Sequence, residues 1–152
     1  AVAGGSLRLL SRGGAARDNA VIDLDLDGVL RSLLASASLA ADLVSAIHVV
    51  ALGALDGVAL GFTDASPMDP ASSRIAFAAA AEDTANAYDD GPCAGSVVGV
   101  LEADGRVAFV ERVEGRSKIE GLSVGPTGLL MVADPDDPTQ RAPLFSSAVP
   151  AW

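Results

Sequence analysis

Residues 95–115 read GSVVGVLEADGRVAFVERVEG. Two runs rich in β-branched residues flank Glu102-Ala103-Asp104-Gly105, and an Asp-Gly pair supplies the positive φ angles that a tight hairpin turn requires. The pattern predicts strands at about 95–102 and 106–113. Downstream, SKIEGLSV and LLMVAD flank the turn GPTG. Upstream, GFTDASPM and RIAFAAAA flank MDPASS at 68–73, and SLRLLSR and NAVIDLDL are separated by GGAARD. Strand follows strand at short spacing, the signature of an all-β meander. The exception is DGVLRSLLASASLAADLVSA at 27–46, whose leucines fall near helical spacing. It predicts a short helical insert near 28–36, after which IHVVALG at 47–53 returns to strand.

Set side by side, the strands repeat. SLRLLSR, SRIAFAAAA and GLLMVAD each precede a polar loop and then a further strand, respectively NAVIDLDL, GSVVGVLEA and APLFSSAV. With IHVVALG and RVAFVERV as fourth strands, and GVALGFTDASPM and SKIEGLSVG as first strands, the order is b-c-d, a-b-c-d, a-b-c. A remnant of a first strand falls at Ala1-Val2-Ala3. Four-stranded repeats of about 40–50 residues are propeller blades. The expectation is an all-β chain: a β-propeller fragment of about three four-stranded antiparallel blades, at 1–53, 54–113 and 114–152. Since propellers close with roughly four to eight blades, the chain reads as about half of a longer protein. Its open blade edges invite self-association.

Composition narrows the partners. Ten Lys and Arg against twenty Asp and Glu leave a net charge of −10. Such a charge repels phosphate backbones and anionic lipid, so neither nucleic acid nor membrane is expected as a partner. A small polar ligand or a divalent cation fits better. No run of about 18 uncharged apolar residues is present. A soluble protein follows, with bacterial cytoplasm and periplasm both open; nine arginines against one lysine suggest a GC-rich bacterial coding sequence. The one cysteine, Cys93, rules out an internal disulfide and any cysteine-clustered metal site.

In a propeller the b-to-c and d-to-a connections share one face. Here the b-to-c loops are 11–20, 81–95 and 133–143, and the d-to-a loops are 51–61 and 114–121. Both asparagines (Asn19 and Asn86), the only tyrosine (Tyr88) and the only lysine (Lys118) fall in these loops. So do Glu82, Asp83, Asp89 and Asp90 of AEDTANAYDDGP, and Asp134, Asp136 and Asp137 of ADPDDP. Hard cations take about six to eight oxygen ligands from carboxylates, amides and carbonyls. Glu82, Asp83, Asp89, Asp90, Asp134 and Asp136 are therefore the candidate metal ligands, with Ca²⁺ as the candidate cofactor. The alternative is that Asp, Asn and Gly simply make and solubilise a long turn. Asp64 in GFTDA and Glu120 in KIEGL open innermost strands, where side chains point to the channel. With Asn86, Tyr88 and Lys118 they form the candidate ligand-binding set, or else a buried network fixing adjacent blades.

Three other motifs bear on function. DLDLDG at 23–28 begins like an EF-hand loop, but Leu34 occupies the position of the bidentate glutamate. A strand running into the helical insert, with Asp27 capping it, is the simpler reading. His48 is the sole histidine and lies on an outermost strand, which leaves a Ser–His–Asp triad without its base. Cys93 has no activating histidine nearby and reads as packing.

IEGLSVGPTGLLMVADPDDP, with GFTDASPM, AAAEDTANAYDDGP and GSVVGVLEADG, resembles the blade signatures of an uncharacterised bacterial family of six-bladed propellers. More loosely the chain is similar to phytase-like, esterase-like and gluconolactonase propellers. That resemblance implies a calcium-dependent hydrolase fold, although no residue matches those families' ligands one for one. Three functions stay open: binding of a small polar ligand or cation at the acidic loop face, metal-dependent hydrolysis of phosphoesters, lactones or esters through a metal-bound water, and a structural or protein-interaction scaffold.

Overall fold

The structure, a computed structural model, describes residues 1–13, 18–36, 38–69, 71–84 and 91–148. The strands are β1 (Val2–Ala3), β2 (Ser6–Ser11), β3 (Asn19–Asp25), β4 (Val44–Val50), β5 (Ala54–Leu55), β6 (Val58–Pro67), β7 (Ile75–Glu82), β8 (Cys93–Leu101), β9 (Val107–Arg112), β10 (Lys118–Gly125), β11 (Gly128–Asp134) and β12 (Leu144–Ser147). They form three antiparallel meanders: β1-β2-β3-β4, β5-β6-β7-β8-β9 and β10-β11-β12. The connection from β3 to β4 carries an α-helix, α1 (Leu26–Ser36), and a short 3-10 turn, Ala41–Leu43. The chain is thus all-β, with the strand succession and sheet order of a propeller fragment.

Local chemistry explains these elements. Gly105 takes φ 80° at the β8–β9 turn, closed by Glu102 N–H to Arg106 O at 2.9 Å. A Cβ there would lie 2.5 Å from that of His48, so the position also needs a side-chain-free backbone for packing. The DLDLDG motif is strand running into helix. Its cap is Asp25, whose Oδ2 accepts the Gly28 N–H at 2.7 Å, and not Asp27. Asp25 is the last residue outside the helix and so meets the free N–H groups of the first turn. The fourth strand of the first sheet begins at Val44, three residues before the expected start, and Ala54–Leu55 forms a small separate hairpin with β6.

The middle sheet holds the core. In β7, Ile75, Phe77, Ala79 and Ala81 face the first sheet, joining Val21, Val50, Leu60 and Phe62 in one apolar cluster. Ala76 and Ala78 face the third sheet, with Ile119, Leu122, Leu129 and Met131. The whole run from Ile75 to Ala81 is at most 1% exposed. A strand buried on both faces reads as a continuous apolar run, and its alanines let the sheets approach closely. Phe62 and Phe77 meet edge to face with centroids 5.3 Å apart.

Polar bonds fix the sheets to one another. Thr63 Oγ1 donates to Ile119 O at 2.6 Å, Asp64 Oδ2 accepts Leu122 N–H at 2.6 Å, and Ser66 Oγ accepts Val124 N–H at 3.1 Å. These side chains of β6 therefore serve the backbone of β10. Between the first two sheets, buried Arg8 makes a two-pronged pair with Asp23, at 2.7 and 3.0 Å. It also donates to the carbonyls of Ser73, Glu102 and Ala103. Arg8 ties β2 to the two turns at one end of the middle sheet.

Candidate functional site

The opposite end of the sheets collects the polar side chains singled out above. Asn19 begins β3 and is almost fully buried; its Nδ2 donates to Leu60 O at 2.8 Å, and its Oδ1 accepts the N–H groups of Gly13 at 2.8 Å and Phe62 at 3.2 Å. It holds the segment after β2 against β6. Gly61 permits that approach, since a Cβ there would come within 2.9 Å of the Arg12 side chain. Arg12, brought in by this contact, pairs with Glu82 at the end of β7.

Lys118, the first residue of β10, lies at the centre. Its side chain is 6% exposed, and its Nζ stands 2.7 Å from Asp136, 3.1 Å from Glu82 and 3.9 Å from Glu120. Glu82 is itself 4% exposed, so Arg12 and Lys118 neutralise a buried carboxylate from two sides. Burial alone would lower the Lys118 pKa, but hydrogen bonds and charge from Asp136 and Glu82 outweigh it and hold the ammonium above the ordinary lysine value. Asp136 reaches Lys118 from a turn with φ 52°, in which its N–H bonds Asp134 Oδ1 at 2.9 Å.

Glu120 differs from its neighbours. Between Ile119 and Gly121 the β10–β11 register shifts, which makes Glu120 the extra residue of a β-bulge. Bulges re-aim a side chain without ending the ladder. Its carboxyl is about a third exposed (32%). Burial pushes its pKa up, with Glu82 and Asp134 adding to that push while Lys118 and Arg12 oppose it. The same register shift occurs in β6 between Phe62 and Asp64. The counterpart of Glu120 one sheet earlier is thus Thr63, and Asp64 corresponds to Gly121. Asp64 does not open the innermost strand, as GFTDA suggests, but lies within β6 and accepts a backbone bond from β10.

Glu82, Lys118, Glu120, Asp134 and Asp136 lie together at this end of the sheets. Asp83 lies beside them, exposed at the start of its loop. The neck of that loop is closed by Asp83 N–H to Pro92 O at 3.2 Å. Asn86, Tyr88, Asp89 and Asp90 lie outside the described residues. Among the described residues, no three His, Cys, Asp or Glu are placed to hold a metal ion. Two of the proposed ligands, Glu82 and Asp136, instead hold the Lys118 ammonium, the cation already built into the chain. Cys93 lies at the edge of this region, where burial raises its thiol pKa and its Sγ lies 3.5 Å from Gly95 O. That is the state of an inert thiol.

Sequence reasoning missed the Arg8–Asp23 pair. A signal was present: in SLRLL and AVIDL, both charges fall on the strand parity of buried Val21 and half-buried Leu10. Opposite charges on the inward parity of neighbouring strands point to a buried ion pair. His48 shares that parity on the outermost strand and stands 3.6 Å from Asp23, at the far end from Lys118's strand terminus.

Fold and site together define an all-β protein of blade-like sheets with a charged rim. The chain belongs to a family of unknown function, DUF6910, whose signature matches residues 1–138. No curated protein and no solved structure matches it. No helix among the described residues is long and apolar enough to cross a membrane.

Proposed function

We propose that this rim binds a small polar ligand that donates hydrogen bonds, an amine or a polyol, with the Glu120 carboxylate as the acceptor. One observation carries the reading. Glu120 sits on a bulge, about a third exposed and 3.9 Å from Lys118, whereas Glu82 and Asp136 make closer contacts with that ammonium, at 3.1 and 2.7 Å. Lys118 acts here as a positioning residue, gathering the acidic loops around the bulge. A ligand with its own positive charge gains further from the surplus of carboxylates.

A divalent cation at Glu82, Asp83, Asp134 and Asp136 would have to draw two carboxylates away from Lys118. The hydrolase reading depends on such a cation to supply its nucleophile, and no contact among the described residues of the rim favours it over ligand binding.

Thermal-shift titration with a panel of amines and polyols, and with Ca²⁺ in a separate arm, tests this reading. A bound ligand at 100 times its dissociation constant adds about 2.7 kcal/mol of stability. The expected result is a shift with an amine or polyol that Glu120→Ala abolishes. A Ca²⁺ shift that persists in Glu120→Ala and vanishes on chelation would replace this reading with the metal site.

A further inference from the structure

Four Asp-Gly pairs occur in the chain, at 27–28, 56–57, 90–91 and 104–105. An aspartate before glycine is chemically labile, because no side chain shields the glycine amide nitrogen from the carboxyl beside it. The fold protects two of these pairs. Gly28 is buried in the first turn of α1, where its N–H donates to Asp25 Oδ2 at 2.7 Å. Gly105 is buried too and donates to Glu102 O at 3.0 Å, while the Asp104 carboxylate accepts from the Arg106 backbone and side chain at 3.1 and 2.7 Å. Asp90 lies outside the described residues. Asp56–Gly57 has neither protection. Both residues are exposed, at φ 51° and 84°, and a Cβ on Gly57 would meet nothing within 4 Å. The Gly57 N–H donates to no acceptor among the described residues. The turn rests on two rungs, Ala54 with Ala59 and Leu55 with Val58, and Arg112 Nη2 tethers the Asp56 carboxylate at 3.4 Å. So short a ladder opens readily, and an exposed ion pair at that distance adds little to hold it.

We propose that Asp56–Gly57 is a site of spontaneous covalent modification, at which Asp56 becomes isoaspartate. As the turn opens, the Gly57 amide nitrogen attacks Asp56 Cγ. A bond forms between them, and the carboxyl hydroxyl leaves with the amide proton as water, closing a five-membered imide. Water then adds to one of the two imide carbonyls. Breaking the new nitrogen–Cγ bond restores aspartate. Breaking the original bond to the Asp56 main-chain carbon instead leaves the chain running through the side chain, with a free α-carboxylate. One water is released and one consumed, so mass and the net charge of −10 are unchanged. Water is the only co-reactant. The backbone gains one carbon within a two-residue turn, so Leu55 and Val58 lose their register. Leu55 packs against the apolar cluster shared by the first and middle sheets, and that packing is what the change loosens.

The test is to age the folded chain in water enriched in heavy oxygen, then digest it with a protease that cuts before aspartate but not before isoaspartate. A synthetic peptide of residues 51–61, aged alongside, sets the time scale. Expected is one heavy oxygen at Asp56 and progressive loss of the cut before it, while Asp27 and Asp104 stay unlabelled. Arg112→Gln, which frees the carboxyl, takes up label severalfold faster. Asp56→Glu, whose longer side chain must close a six-membered ring, takes up none over the same period. Equal labelling at Asp27, Asp56 and Asp104 would mean reaction through global unfolding. An unlabelled Asp56 after the peptide has converted would mean a turn that stays shut. Either result overturns the proposal.

Discussion

Strands β7 and β11 are nearly equal in length, eight residues and seven, and each is the central strand of its sheet, yet they solve different problems. Strand β7 is buried from Ile75 to Ala81, whereas β11 alternates from Leu129 onward between buried and exposed positions. Burial on two faces explains the composition of IAFAAAA: each side chain must fit a gap between sheets, and most gaps admit only a methyl group. Burial on one face explains LLMVAD, where large residues fill the inward side and the outward side has no such constraint. The alanines that make this chain unusual are therefore concentrated where two interfaces share one strand.

The strongest test of this contrast is Phe77→Ala. It empties a fully buried site and should cost about 3–5 kcal/mol, read by urea denaturation. Phe145→Ala, on the exposed strand β12, should cost less than about 1 kcal/mol. Comparable losses at the two positions would show that the sheets are not packed as described.

Arg8→Met comes next. It strands the Asp23 carboxylate in the interface between two sheets and should cost about 3 kcal/mol, while the double variant Arg8→Met with Asp23→Leu should recover much of that loss. A double-mutant cycle with no coupling would remove Arg8 from its place between the sheets.

Ala78→Leu sharpens the comparison from the opposite direction. Adding carbons to a strand with no free face should destabilise by about 1–3 kcal/mol. A neutral result would show slack between the middle and third sheets.

The smallest effect concerns pH. The folded-state pKa of Glu120 is raised, so its charged form is disfavoured by folding. Stability contributed by the neutral form is present below the ordinary glutamate pKa of about 4.3 and declines as pH rises through the folded-state value. Glu120→Gln should therefore be neutral or slightly stabilising at pH 7, by no more than about 1 kcal/mol, with the difference vanishing in acid. Lys118 is raised as well, so its ion pairs are complete below the ordinary lysine value and dissolve only in strong alkali. A difference in stability between wild type and Glu120→Gln that stays the same from pH 7 into acid would show that Glu120 is fully solvated.

The strands were legible because their signals are local. Asp104-Gly105 fixes a turn from two residues, and branched side chains on either side fix its arms. The gathering of Glu82, Lys118 and Asp136 was legible at the level of which ends the loops occupy. Two features were hidden. The bulge at Glu120 depends on a register shift against β11, and no property of KIEGL alone reveals a residue without a cross-strand partner. The capture of Glu82 by Arg12 and Lys118 depends on a fold that joins residues far apart in the chain. A carboxylate's proximity to a built-in cation decides whether it is a free ligand, and that proximity is a tertiary fact.

The one-residue insertion in β10 has a further consequence. Because Glu120 answers to no rung of the ladder, its replacement leaves strand pairing untouched, unlike a change at Ile119 or Leu122. The position behaves as an exchangeable fitting on a fixed frame, where selection or an engineer can swap what the rim displays without reopening the question of whether the chain folds.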